Sequence, residues 1–232
     1  FVTNYVNAIY PKKSKKVYIH HDIYDTPLVA KKLEKKVYFL LSNLDYILIS
    51  SKIAENIFKN GFKKFKIKKT PRLIISGYLK LAYLEKLKEK KKIKKNFIKT
   101  IVIAPTQYKS IKSLGLIKSI SNISNRLLNN GYRVVLRPHP LNRDEKIFLN
   151  FKYKFLKNKN FFYDTSSNYF DTYINSSLMI TDISGTAYTY AFFTLNPVIF
   201  LSSNKKEKKI KKNFKNNLNY FKNRIKIGKI VL

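Results

Sequence analysis

Cysteine and tryptophan are absent from this sequence, and methionine occurs once. Without thiols there is no disulfide framework, no zinc–thiolate site and no thiol nucleophile. Acidic residues are scarce: 13 Asp and Glu stand against 48 Lys and Arg, for a net charge of +35. No apolar run approaches the roughly 20 residues of a membrane-spanning helix. The longest, 191–201, is interrupted by Asn196 and Pro197. The chain opens at Phe1 with neither an initiator Met nor a signal-peptide pattern, so an N-terminal part is expected to be missing. No Walker or G-x-G-x-x-G motif and no internal repeat occurs.

What is present is a foldable chain. Hydrophobic residues make up 44% of the 232, and aromatics 15%, which excludes a disordered basic tail. This length buries a core in one large domain or two small ones. The positive charge points to an anionic partner: nucleic acid, a phosphorylated substrate or a membrane surface. It has a plainer source as well. The excess is mostly Lys beside abundant Ile and Asn, the composition of an AT-rich coding sequence. Charge alone therefore identifies no function.

Short apolar runs alternate with helical patterns. Strands are expected at 17–20, 44–50 and 72–76, and helices at 28–36, 52–60 and from 79. Gly61 reads as the C-cap of the second helix. The Lys-rich run 86–96 reads as an exposed helix end and linker. The alternation then restarts, with strands at 100–104, 132–136, 160–163, 178–181 and 197–201. Helices are expected at 114–130, 168–175, after Thr186, and as a surface segment over 203–223. Strand–helix alternation with short connections implies parallel sheets flanked by helices. The expected division is 1–95 and 96–232.

The chemistry-bearing residues sit at the ends of expected strands, where such sheets bind ligands. His20 and His21 follow VYI, and His139 follows YRVVLRP. Thr181-Asp182-Ile183-Ser184-Gly185-Thr186 lies between a strand and a helix. Small residues, hydroxyls and a helix N-terminus at one turn suit a diphosphate, although the same residues serve ordinary capping. Arg137-Pro138-His139-Pro140 ends a strand about two strand–helix units earlier.

In that order these segments resemble the bacterial CDP-glycerol glycerophosphotransferases, the teichoic-acid polymerase-like family. The similar stretches are TIVIAPT (100–106), VVLRPHP (134–140), LMITDISGTAYTYAFF (178–193) and NPVIFL (196–201). In the first half they are VYIHHDIYDTPL (17–28), LDYILISS (44–51) and PRLIISGYLKLAYLEKL (71–87). The sequence departs from the family's pattern at Ile183, Gly185 and Thr189, where Tyr, Ser and an acid are usual.

The resemblance implies a GT-B fold, two Rossmann-like domains facing across a cleft, with the first one incomplete here. It implies transfer of glycerol phosphate, or a related polyol phosphate, from a CDP-activated donor to a surface polymer or lipid-linked acceptor. His21, or His20, would then be the general base, with Asp22 and Asp25 on the acceptor side. His139 would act on the leaving CMP. Arg137, Thr181, Ser184, Gly185 and Thr186 would hold the donor diphosphate. No cofactor and no metal are expected. The expected place is the cytoplasm, with peripheral contact to anionic membrane through 86–95 and 205–212. The alternatives are a GT-B glycosyltransferase using a nucleotide sugar and, less favoured, a basic module binding nucleic acid or membrane.

Overall fold

The computed structural model describes residues 1–4, 6, 10–20, 23, 31–90, 99–107, 115–213 and 221–232. His21, Asp22 and Asp25 lie outside these residues. The chain divides into two compact units, Phe1–Tyr83 and Leu84–Leu232.

The first unit carries strands β1 (Val2–Thr3), β2 (Val17–Ile19), β3 (Tyr46–Ile49) and β4 (Arg72–Ile75). They form one parallel sheet in the order β1-β2-β3-β4. Helices α1 (Lys31–Leu41) and α2 (Lys52–Lys64) connect its strands, and α3 (Leu79–Lys90) follows. Its core gathers Tyr18, Tyr38, Leu41, Leu44, Ile47, Ile49, Ala54, Phe58 and Phe62. Ser51 caps α2 by accepting from Ala54 N–H at 3.2 Å. That helix does not end at Gly61. It runs one turn further, to Lys64, because Gly61 serves packing: a Cβ there would lie 2.0 Å from Tyr38 Cζ.

The division of the chain falls inside α3, earlier than the boundary at 95/96 suggested by the Lys run. Leu84 is buried, and Lys88 Nζ sits 5.8 Å from the centre of the Phe193 ring within the second unit. The helix end is thus tied down as far as Lys88.

The second unit holds six parallel strands. They are β5 (Thr100–Ile103), β6 (Arg133–Leu136), β7 (Phe161–Tyr163), β8 (Leu178–Thr181), β9 (Val198–Leu201) and β10 (Gly228–Val231). Helices α4 (Ile117–Asn129), α5 (Lys146–Phe155), α6 (Phe170–Ile174), α7 (Thr186–Thr194) and α8 (Asn204–Asn213) lie between them. The strand order is β10-β9-β8-β5-β6-β7. After β5 the chain adds β6 and β7 on one side, then returns to place β8 on the other. That is the doubly wound pattern, with its switch point between β5 and β8. Being central explains composition: all four residues of β5 are buried, and so are the last three of β6 and of β8.

Two parts of this sheet depart from expectation. Strand β10 completes an edge beyond 197–201, where the sequence pattern ended. The segment after Ser203 is more than a surface helix. Ile210 on α8 is buried, and Glu207 Oε2 pairs at 2.7 Å with Arg224, itself 1% exposed.

Candidate active site

The switch point brings three of the marked segments together. Strand β5, ending at Ala104-Pro105-Thr106, lies between β6 and β8. The Arg137–Pro140 segment and the Thr181–Thr186 segment therefore start from strand ends about 10 Å apart, two strand spacings. Parallel registers level the ends: Ile103 pairs with Leu136 on one side and Ile180 on the other.

The β8–α7 turn changes character within six residues. Thr181, Asp182 and Ile183 are buried, whereas Ser184, Gly185 and Thr186 are half-buried. The Thr181 hydroxyl donates to Ala104 O at 2.6 Å and is fully enclosed. It ties β8 to β5 and offers nothing to a diphosphate. Gly185 occupies the N-cap of α7, and no side chain caps that helix. A nine-residue helix thus presents its positive end beside the Ser184 hydroxyl. The Thr186 hydroxyl is hydrogen-bonded to Tyr173 of α6. Burial pushes the Tyr173 phenol up to about 12, so it stays neutral. Thr189 is buried on α7.

Arg137 is held by its own neighbours. Its Nη1 pairs with Asp164 Oδ2 at 2.5 Å and donates to Ser166 Oγ at 3.1 Å, while Nη2 donates to Ser166 O at 2.9 Å. Burial would raise the Asp164 carboxyl, but Ser166, Thr172 and the Arg137 charge outweigh it. They hold the carboxyl below the usual carboxylate range. The Arg137 guanidinium therefore fixes the turn after β7.

His139 is half-buried at the head of the turn Pro140–Asn142. Leu141 N–H donates to its Nδ1 at 3.2 Å. A backbone amide only donates, so the neutral ring carries its proton on Nε2. His20 in the first unit is 9% exposed. Its Nδ1 lies 3.2 Å from the Tyr18 hydroxyl, and its ring stands edge-on to Phe58.

Asp182 was passed over in the sequence. Its Oδ1 accepts from Thr106 N–H at 3.0 Å and Ile183 N–H at 2.7 Å, and its Oδ2 accepts from Leu116 N–H at 3.1 Å. Burial pushes its carboxyl up to about 6 against the pull of these amides. One signal was available: in a chain this poor in acids, an Asp just beyond the apolar run Leu178-Met179-Ile180 needs hydrogen-bond donors to hold its charge. Among the described residues no group of three or more His, Cys, Asp or Glu is placed to hold a metal.

A model of the family described as CDP-glycerol:poly(glycerophosphate) glycerophosphotransferase matches residues 12–222. The chain belongs to this family. No curated protein matches it. Among solved structures, the wall teichoic acid polymerase TagF, as a variant soaked with CDPG, is similar at 19% identity with a TM-score of 0.62. The match covers 99% of this chain and 59% of that one. A second TagF structure matches at 17% identity and a TM-score of 0.56, covering 95% and 57%. The S. aureus MnaA–UDP structure matches at 15% identity and 0.52, covering 91% and 60%. The chain thus spans about three fifths of the TagF chain. Its two parallel-sheet units have the GT-B-type fold of these proteins.

Proposed function

We propose that this glycerophosphotransferase-family protein moves glycerol phosphate, or a related polyol phosphate, from a CDP-activated donor to a hydroxyl of a surface polymer or lipid-linked acceptor. The observation that carries the reading is the family match over residues 12–222. The level ends of β6, β5 and β8 support it, because His139 and the Ser184–Thr186 turn follow the two strands that flank β5 in one sheet.

The acceptor oxygen attacks the phosphorus that bears glycerol. A new P–O bond forms as the bond from that phosphorus to the bridging oxygen of CMP breaks. The acceptor proton passes to an imidazole, the side chain whose ordinary pKa suits a base at neutral pH. We assign this base to His21, since His20 is enclosed by Tyr18 and Phe58. Asp22 and Asp25 serve the acceptor side. His139, with its proton on Nε2, donates to the departing CMP phosphate. Ser184, Gly185 and Thr186 hold the diphosphate at the N-terminus of α7. Arg137 contributes through the Asp164–Ser166 turn.

The finer reading of location is peripheral contact with anionic membrane on the cytoplasmic side. No helix among the described residues is long and apolar enough to cross a membrane. Lys205, Lys208, Lys209, Lys211 and Lys212 are exposed on α8. Each Lys near an anionic surface contributes about 1 kcal/mol. A second basic surface surrounds a cavity of about 300 Å³, where Lys35, Lys66, Lys68 and Lys69 rim Phe39, Phe65 and Ile67.

Thermal-shift measurements with CDP-glycerol, CDP-ribitol, CMP, UDP-sugars and ADP-sugars test the donor. A true donor at a hundred times its Kd stabilises by about 2.7 kcal/mol. Release of CMP from CDP-glycerol with an acceptor tests the reaction. Stabilisation by UDP-sugars alone would replace this reading with a glycosyltransferase.

A further inference from the structure

One buried carboxylate holds together two stretches of backbone at the switch point. Thr106 follows β5, and Leu116 immediately precedes α4. Both amides point at Asp182, which is 1% exposed, across sequence separations of 76 and 66 residues. The third amide, Ile183 N–H, belongs to the β8–α7 turn itself. Leu116 has no side-chain cap, so the Asp182 carboxylate is the anion at the α4 N-terminus. Two further ties lock the same place. The Thr181 hydroxyl bonds Ala104 O, and Lys206 Nζ of α8 donates to Gly115 O at 2.9 Å.

We infer that Asp182 is a positioning residue for donor binding: its carboxylate holds the backbone at Thr106 and Leu116 against the turn that carries Ser184, Gly185 and Thr186. The inference rests on the reading of that turn as the diphosphate site. Ser184 lies two residues beyond Asp182, so its hydroxyl and the α7 N-terminus take their position from where Asp182 is anchored. The geometry requires both carboxylate oxygens as acceptors. In Asp182→Asn one oxygen survives for Thr106 and Ile183, while the amide NH₂ meets Leu116 N–H, donor against donor. Burial brings the Asp182 carboxyl up to about 6, and a protonated carboxyl would lose an acceptor in the same way.

The test is steady-state kinetics of the protein and of Asp182→Asn with CDP-glycerol. A displaced donor turn weakens binding in the ground state and the transition state alike. KM should therefore rise about tenfold, with kcat within about threefold. A merely structural role would lower the active fraction, and with it apparent kcat, at unchanged KM. Turnover with KM within about twofold of wild type would overturn the inference alone. Absence of any CDP-glycerol turnover in the wild type would overturn the site reading and this inference with it. Amide hydrogen exchange on the wild type covers the case in which the variant does not fold. Thr106 and Leu116 should exchange as slowly as the amides of β5, and exchange at the rate of free amides would refute the anchoring.

Discussion

Removing the Asp164 carboxylate decides whether Arg137 is scaffold or donor ligand. The pair is largely buried, with side-chain exposures of 10% and 13%. Asp164→Ala leaves the guanidinium the Ser166 hydroxyl and carbonyl as acceptors and the Tyr169 ring beside it, with no anion. Stranding one member of a buried ion pair costs about 3–5 kcal/mol. For a chain of this size each kcal/mol moves Tm by about 2–4 °C, so a fall of roughly 6–20 °C is expected. Arg137→Met should cost less, because Asp164 keeps Ser166 and Thr172 as donors. The doubly apolar Arg137→Met/Asp164→Leu should recover most of the loss. The pH dependence has a fixed sign. The folded carboxyl lies below its unfolded value of about 3.9, so its contribution is full above that pH. It is lost as pH falls through the lower folded value. The gap between wild type and Asp164→Asn should stay flat from about pH 7 to 5 and close below about pH 4. Thermal unfolding followed by circular dichroism measures all of this. Two results would refute the reasoning. One is Asp164→Ala within about 0.5 kcal/mol of wild type. The other is Arg137→Met raising the donor KM while Asp164→Ala leaves it unchanged, which would put Arg137 on the donor itself.

Other outcomes follow from the same geometry. His21→Ala should remove most of kcat while nucleotide binding stays near wild type; unchanged kcat in both His21→Ala and His20→Ala would remove the proposed base. Ser184→Ala should weaken CDP-glycerol binding by about 1–3 kcal/mol, measured calorimetrically. His139→Ala should slow CMP release by about 10²–10⁴-fold, with smaller losses against donors whose leaving group is more acidic. Gly61→Ala should destabilise the first unit by about 1–3 kcal/mol in urea unfolding, since the added methyl collides with the Tyr38 ring. Flotation with anionic liposomes should fall steeply as salt is raised; equal binding to neutral lipid would contradict the membrane reading.

The alternation of strands and helices is legible in the amino-acid order alone. An apolar run such as TIVI or YRVVL is a local property, and burial on both faces of a parallel sheet demands it. The same order shows which residues stand at strand ends, since His139 and Ser184 follow such runs within a few positions. The strand order, and with it that β6 and β8 flank β5, comes from long-range pairing that no local run of residues encodes. The faint edge strand Gly228–Val231 and the role of Gly61 under Tyr38 emerged in the same way. Arg137 read as a diphosphate ligand because its partner Asp164 lies 27 positions on, beyond any local period. Thr181 read as a ligand residue because a strand-end hydroxyl gives no local sign of the carbonyl it faces, Ala104, which is 77 positions away. For Asp182 the sequence signals that a carboxylate needs donors but not which ones: its partners are backbone amides, which every residue but proline carries, so no pattern of side chains marks them in advance.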